Sequence, residues 1–194
     1  MSIFSHVAMP RPQHNTFDLS HSKKFSCKIG QLVPIMCTET VPGDSFSIKP
    51  SNMLRFAPLI APVMHQTSVY THYFFVPNRI LWNNWEDFIT GGEDGYADPV
   101  FPFFKPTGVE RIKPGSLGDF LGLSSVTPGQ SGSGGYQNTP FNALPFAAYN
   151  KIYNDYYRDE NLITALDDKV NDGENTFTPF EAQQNRAWCE SVFS

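Results

Sequence analysis

The stretch that decides the fold runs from Val69 to Val76, with the sequence Val-Tyr-Thr-His-Tyr-Phe-Phe-Val, and Pro77 follows it. β-Branched and aromatic side chains fit the pleated surface of a sheet, so they favour an extended strand. A proline ends such a run because it has no N–H to donate to a neighbouring strand. We therefore predict the best strand of the chain at residues 69–76.

Weaker strand patterns precede this stretch. Residues 25–29 and residues 45–49 alternate apolar and polar side chains, which is the period of a half-buried strand. The apolar run at residues 32–37 contains a proline, which predicts an edge strand or a bulge. Between these runs, Val41-Pro42-Gly43-Asp44 has proline and glycine where a type II turn prefers them. Residues 21–82 thus read as strands and turns.

Residues 83–141 read as a long, mostly irregular insertion with two short helices. Asn83 followed by Glu86 is a helix-start pattern, and Gly91-Gly92 is a stop signal. Ser116 followed by Asp119 repeats the start pattern. Long loops inside a compact domain are commonly functional.

One longer helix is predicted at about residues 142–166. Asn142 is its candidate cap, and Pro145 lies in the first turn, where a missing N–H costs little. Tyrosines and an isoleucine then recur at three- and four-residue spacing and form one stripe. We interpret the stripe as a face laid against a sheet; a contact with a neighbouring subunit is the alternative.

The composition of the 194-residue chain limits its function. Hydrophobic residues make up 40% and charged residues 17%, which argues against wholesale disorder. The formal charge of −5 gives no overall basic field for nucleic acid. The densest basic cluster is Lys23, Lys24 and Lys28, a candidate DNA-facing set whose alternative role is to protect a strand edge. Three cysteines without metal-type spacing suggest reduced thiols, and we expect neither a signal peptide nor a membrane span.

No catalytic constellation emerges from the motifs, so we predict no enzyme, no cofactor and no bound metal. His65 and His72 are the best metal candidates, with His21 as a third. Because they are seven residues apart, His65 and His72 would point to opposite faces of a continuous strand. A metal-dependent barrel enzyme is therefore the least favoured class.

Six ordered blocks carry a family resemblance. The blocks are Phe17–His21, Val41–Phe46, Ala57–His65, Val69–Arg79, Trp85–Gly92, and Leu144–Tyr149 continuing through Asn154–Asp159. Together they resemble the N-terminal part of the major capsid protein of gokushovirus-type microviruses, which are small tailless phages with circular single-stranded DNA.

The resemblance implies a mainly β fold, a viral jelly roll (an antiparallel β-sandwich) with long loop insertions and a few short helices. It implies a structural subunit that assembles with copies of itself into a T=1 icosahedral shell. The partners would be the single-stranded DNA genome and a small basic DNA-binding viral protein. The expected location is the virion, assembled in the cytoplasm of a bacterial host. A jelly-roll module that binds carbohydrate or another ligand is the alternative function.

The expected domain organisation is an N-terminal arm at residues 1–20 and a partial jelly-roll domain at residues 21–194, with the insertion at 83–141. Family members continue beyond this length, so we expect the chain to be truncated and to lack the strands that close the jelly roll. The arm is either a frayed terminus, as such segments usually are, or a segment that lies across a neighbouring subunit. Candidate inter-subunit contacts are the aromatic residues Phe17, Trp82, Trp85, Tyr153 and Tyr157.

Overall fold

The computed structural model describes residues 13–58, 60–61, 64–105, 114–123, 139–176 and 183–187. Within these residues the elements in chain order are α1 (Asn78–Leu81), α2 (Trp85–Thr90), β1 (Phe103–Phe104), α3 (Leu117–Phe120), β2 (Phe141–Asn142) and α4 (Leu144–Tyr156). The few short helices are as predicted. The small sheet is the only regular β structure in the described part of the chain, so a mainly β fold is not established.

The long helix α4 starts close to the predicted position. The Asn142 side chain accepts a hydrogen bond from the Leu144 N–H at 2.9 Å, and Pro145 lies in the first turn. One face is buried through Leu144, Phe146, Ala147, Asn150, Tyr153 and Asn154. The apolar and aromatic spacing therefore predicted correctly that a helix forms here.

The predicted end of α4 at residue 166 is wrong, because the helix ends at Tyr156. The N–H groups of Tyr157 and Arg158 both donate to the Tyr153 carbonyl, at 3.0 and 2.9 Å, which breaks the regular ladder. The Asp159 carboxylate then accepts the N–H of Asn161 at 2.9 Å. Aspartate competes with helix in this way by capping a local turn.

The two shorter helix signals also identify real helices. Helix α2 begins at Trp85 after Asn84, one residue later than the Asn83 cap implied, and no side chain caps it. It ends at Thr90, and its C-cap is Gly91, whose φ of +83° is the left-handed conformation that glycine accepts most easily. The Ser116 hydroxyl accepts the Asp119 N–H at 3.4 Å, so the predicted cap of α3 is confirmed.

A single hydrophobic core joins these helices. Its buried members come from the end of α1, from β1, α3 and the start of α4, and from residue 170: Leu81, Trp82, Phe104, Leu117, Ala143, Leu144, Phe146, Ala147 and Val170. The Trp82 indole N–H donates to the Asp172 carboxylate at 2.6 Å, and the Val170 N–H donates to the Leu81 carbonyl at 3.0 Å. These bonds hold residues 170–172 against the end of α1.

The sheet is short and lies beside the core. Strands β1 and β2 are antiparallel, with Phe103 opposite Asn142 and Phe104 opposite Phe141. The Phe104 and Phe146 rings meet edge to face with centroids 4.9 Å apart. The sheet therefore connects the insertion to the first turn of α4.

The strands predicted between residues 25 and 76 have no ladder in the structure. Gln31 forms one isolated bridge with Asn185, and the described residues from 13 to 76 contain no regular strand. The turn at Val41–Asp44 is confirmed, because the Asp44 N–H donates to the Val41 carbonyl at 3.1 Å and Gly43 has a φ of +96°. A strand forms only beside a partner, and no neighbouring strand is available within this part of the chain.

Two regions follow from this description. The extended segment comprises the described residues from 13 to 76, of which none is buried. The compact module comprises the described residues from 77 to 187, and it contains the whole core.

Candidate functional site

The extended segment exposes large apolar side chains along most of its length. Those more than one-third exposed include Phe17, Leu19, Phe25, Ile29, Met36, Phe46, Ile48, Met53, Leu54, Phe56, Val69, Tyr70, Tyr73 and Phe75. Single exposed apolar residues are ordinary, but a contiguous series marks a surface that binds a partner. The extended segment is therefore the candidate functional site.

The predicted strand at residues 69–76 contacts the end of α4 on one side and leaves the other side open. His72 stacks on Tyr157 with ring centroids 5.9 Å apart and shares a hydrogen bond with its hydroxyl. Phe74 lies against Tyr156 at 4.7 Å. The alternate residues Tyr73 and Phe75 are exposed. These alternate contacts follow the two-residue period of a strand, although His72 itself stays exposed on the side that meets α4.

Lys23 anchors the extended segment to α3. Its ammonium group donates to the carbonyls of Phe120 at 2.6 Å and Pro34 at 3.1 Å, and it lies 5.3 Å from the centre of the Phe120 ring. Burial lowers the pKa of Lys23, and the nearby Asp119 carboxylate opposes that shift. The amine of Lys23 is thus engaged inside the chain, whereas Lys24 and Lys28 are exposed.

Tyr149 forms a second anchor. Its hydroxyl donates to the Leu32 carbonyl at 3.0 Å and accepts the Gln184 N–H at 2.9 Å. The Leu32 N–H donates in turn to the Gln184 carbonyl at 2.9 Å. Burial raises the pKa of Tyr149 to about 12. One hydroxyl therefore ties three distant parts of the chain together.

The candidate inter-subunit aromatics divide into two groups. Phe17 is 76% exposed, and Trp85 and Tyr157 are half-buried, so each offers surface to a neighbour. Trp82 and Tyr153 are only 1% and 2% exposed. Their side chains pack within the compact module, because α1 and α4 bring them into its interior.

The histidines considered as metal ligands do not converge. Among the described residues, no group of three or more histidine, cysteine or carboxylate side chains could hold a metal ion. His21 bonds to the Leu19 carbonyl at 3.0 Å, and His72 lies against Tyr157. Cys27 and Cys37 are free thiols, and Cys189 lies outside the described residues. None of the helices described is both long and apolar enough to cross a bilayer.

Sequence reasoning missed the polar groups that hold the end of the module. Asn154 donates to the Leu166 carbonyl at 2.8 Å and accepts the Leu166 N–H at 3.0 Å. Asn150 donates to the Asp167 carbonyl at 2.8 Å. A signal was available, because two asparagines four residues apart lie on the buried face of one helix.

Comparison with known proteins gives consistent results. Three curated proteins, all named capsid protein VP1, are similar to the chain. The protein of Chlamydia phage 1 is 34% identical over 94% of this chain and 30% of its own length. The protein of Bdellovibrio phage phiMH2K is 32% identical over 92% of this chain and 32% of its own length. That of Spiroplasma virus 4 is 29% identical over 90% and 30%, respectively.

The chain spans about a third of the length of these curated relatives. No solved structure shows significant similarity to it. The family model described as capsid protein (F protein) matches residues 5–188, nearly the whole chain. The chain therefore belongs to the phage capsid protein (F protein) family, in agreement with the resemblance drawn from its six sequence blocks.

Proposed function

We propose that this chain is part of the structural subunit of a small icosahedral phage shell. The observation that carries the proposal is the extended segment, in which exposed apolar side chains recur and no described residue is buried. A monomer in water gains nothing from this arrangement, because apolar surface is stabilised only when it leaves water. Repeated contacts between subunits remove such surface from water, and each contact can be weak because many act together.

We propose further that the subunit is a jelly roll whose strands are completed outside the described residues. Residues 69–76 support this proposal, since they have strand composition, contact α4 on one side and have no ladder partner among the described residues. Residues 1–20 form the arm, residues 21–194 the partial domain, and residues 83–141 its insertion. Residues 13–20 are exposed along their whole length, as an arm that lies on a neighbour would be.

The proposed partners are other copies of the subunit, the single-stranded DNA genome and a small basic DNA-binding viral protein. Lys24 and Lys28 are exposed and are the better DNA-facing candidates, whereas Lys23 also serves as an internal anchor. The net charge of −5 is compatible with a separate basic protein that neutralises the phosphates. The location is the virion, with a T=1 shell assembled in the host cytoplasm.

The role is structural, without catalysis. The named relatives are capsid proteins, and the histidines once considered for a metal centre lie apart in the described part of the chain. The alternative, a carbohydrate-binding jelly-roll module, has no specific observation in its favour.

Electron microscopy tests the proposal directly. The chain is co-expressed with a second polypeptide that corresponds to the part of the relatives' sequence that this chain does not cover. Closed particles of uniform size are expected. The double variant Tyr73→Asp/Phe75→Asp should abolish them, because it places charge on the open face of residues 69–76. Leu162→Asp is the matched control, since Leu162 is at least as exposed as Tyr73 and Phe75 but lies in the module.

Two results would contradict this function. One is a soluble monomer in the co-expressed sample that binds a glycan saturably. The other is particle formation that is indifferent to the aspartates at positions 73 and 75, with the control behaving identically.

A further inference from the structure

Helix α2 and the loop that follows it form a surface with strong negative charge. Residues 85–98 contain Glu86, Asp87, Glu93, Asp94 and Asp98, and they contain no lysine or arginine. The loop folds back on the helix, because the Ala97 N–H donates to the Gly91 carbonyl at 2.7 Å. We call residues 85–98 the acidic face.

Aromatic and aliphatic side chains share the acidic face with these carboxylates. The Trp85 and Phe88 rings lie 6.0 Å apart, and Phe88 also meets the ring of Phe101 at 5.6 Å. Phe88 and Ile89 remain substantially exposed, and Tyr96 is 91% exposed. The surface thus offers apolar area surrounded by negative charge, as an interface with an apolar centre and a charged rim does.

A segment with the opposite charge lies elsewhere in the same chain. Residues 45–58 contain Lys49 and Arg55 and no acidic residue, and every one of them is exposed. Both basic residues stand beside apolar side chains: Ile48 precedes Lys49, and Leu54 and Phe56 flank Arg55. Pro50 and Pro58 keep the segment from continuing as a helix. We call residues 45–58 the basic segment.

We propose that the basic segment of one copy docks on the acidic face of a second copy. The inference rests on the proposed function, and it names the surfaces that would form one repeated contact of the shell. Charge complementarity carries it, since carboxylates on one surface meet an ammonium and a guanidinium on the other while both surfaces lose apolar area to water. The contact joins two different surfaces, so each copy can bind the next one. Such a series forms a closed assembly only if the rotation from copy to copy returns to the starting subunit.

A second copy fits the basic segment better than nucleic acid does. A strand of DNA would be held by many cations along its phosphates, whereas this segment has two cations among exposed apolar side chains. The extended segment is anchored in its own chain at Lys23, which contacts Phe120. It is also anchored at Leu32, which contacts Tyr149 and Gln184. These anchors leave the basic segment uncovered.

Zero-length carbodiimide cross-linking of an equal mixture of ¹⁵N-labelled and unlabelled chain tests the pairing. Mass spectrometry should find Lys49 joined to Glu93 or Asp94 in peptides that combine the two isotopes. Cross-links confined to one isotope would mean that the segment folds back on its own chain, and this result would overturn the proposal. Absence of any Lys49 link to residues 85–98 would overturn it as well.

Charge reversal gives a second, independent measurement by sedimentation velocity of the full chain. Two double variants reverse one surface each: Lys49→Glu/Arg55→Glu reverses the basic segment, and Glu93→Lys/Asp94→Lys reverses part of the acidic face. Each variant alone should weaken self-association by about tenfold or more, because like charges then face each other. A mixture of the two variants should restore it, since each reversed surface meets its reversed partner. The matched control is Glu39→Lys/Glu160→Lys, which changes the net charge equally at two exposed positions outside the acidic face and should leave association within about twofold.

The outcomes separate this inference from the proposed function. If the reversed variants still form closed particles and associate like the parent chain, the docking is wrong and the capsid role stands. If the parent chain with its remaining capsid polypeptide forms no particles, the capsid role fails whatever the cross-links show. If a single-stranded oligonucleotide competes for Lys49 and blocks its cross-links, the segment belongs to nucleic acid and the docking is overturned.

Discussion

Phe75 and Phe104 belong to the two contrasting regions of the molecule. Phe75, in the extended segment, keeps 75% of its surface exposed, whereas Phe104, in the compact module, keeps 1%. The module covers its aromatic residues with helices α1, α3 and α4, whereas the extended segment is held at Phe25 and Lys23, at residues 30–32 and by the end of α4. The comparison shows that the same type of side chain can form a core in one region and an exposed surface in the other.

The largest expected effect is a contrast in amide hydrogen exchange. Amides of α4 should exchange at least about a thousandfold more slowly than amides of residues 45–58, because exchange in α4 requires opening of the core while the basic segment has no protecting ladder. Mass spectrometry of peptic peptides from the isolated chain measures both. Equal protection in the two regions would contradict the division into two regions, since it would mean that the extended segment packs against another part of the protein.

Trp82→Ala should destabilise the module severely. Trp82 is buried among aromatic rings and its indole N–H bonds to Asp172, so truncation should lower the free energy of unfolding by about 3–5 kcal/mol. Urea denaturation followed by near-ultraviolet circular dichroism gives the value. Phe75→Ala is the matched control and should change it by less than about 0.5 kcal/mol in the isolated chain. A larger cost at Phe75 would show that its open face is already covered.

These contrasts also show what the sequence could predict. Local signals identified local structure: the turn at Val41–Asp44, the Gly91 stop and the Ser116 cap each depend on a few neighbouring residues. The end of α4 could not be predicted, because it depends on Asp159 capping a separate turn and on Asn154 bonding to Leu166. The bond between Asn154 and Leu166 joins residues twelve apart that share no motif.

The strand signals at residues 25–76 have a different explanation. Alternation reports which side chains the protein buries, but it says nothing about what buries them. For residues 69–76 the end of α4 contacts His72 and Phe74, whereas Tyr73 and Phe75 stay open. The described residues supply no neighbouring strand for this pattern.

The hydroxyl of Tyr149 predicts a pH-dependent link between the two regions. Its pKa is raised from 10.0 to about 12 by burial. The neutral form is therefore favoured by folding, so this stabilisation is fully present below pH 10 and is lost as the pH rises from 10 through 12. Below pH 10, Tyr149→Phe should lower the free energy of unfolding by about 1–2 kcal/mol, because it removes bonds to Leu32 and Gln184.

Urea titrations of the parent chain and the Tyr149→Phe variant between pH 8 and pH 12 check this prediction. The difference between the two proteins should shrink as the pH rises, because only the parent chain loses the contribution. The control is Tyr96→Phe, a tyrosine on the surface, which should leave the parent behaviour unchanged. A constant difference across the range would mean that the hydroxyl does not link the regions.

The smallest expected effect compares one glycine from each region. Gly91 has a φ of +83°, and a Cβ there would lie 3.1 Å from the Gly95 backbone, whereas around Gly43, with a φ of +96°, nothing lies within 4 Å. Gly91→Ala should lower the free energy of unfolding of the module by about 1–2 kcal/mol, because an alanine at this position would strain the backbone and crowd the backbone of Gly95. Gly43→Ala should leave the module's thermal unfolding unaltered, because the turn at 41–44 is outside the core. Calorimetry that shows equal losses would contradict the division into two regions.

The bond between Leu32 and Gln184 has a consequence for synthesis. Its two residues are 152 positions apart in the sequence. At about 5–20 residues per second, a ribosome would need roughly 8–30 seconds between making one and the other. The nascent chain therefore carries residues 30–32 without this bond for that time, a period in which chaperones or neighbouring nascent copies could engage them before Gln184 is made.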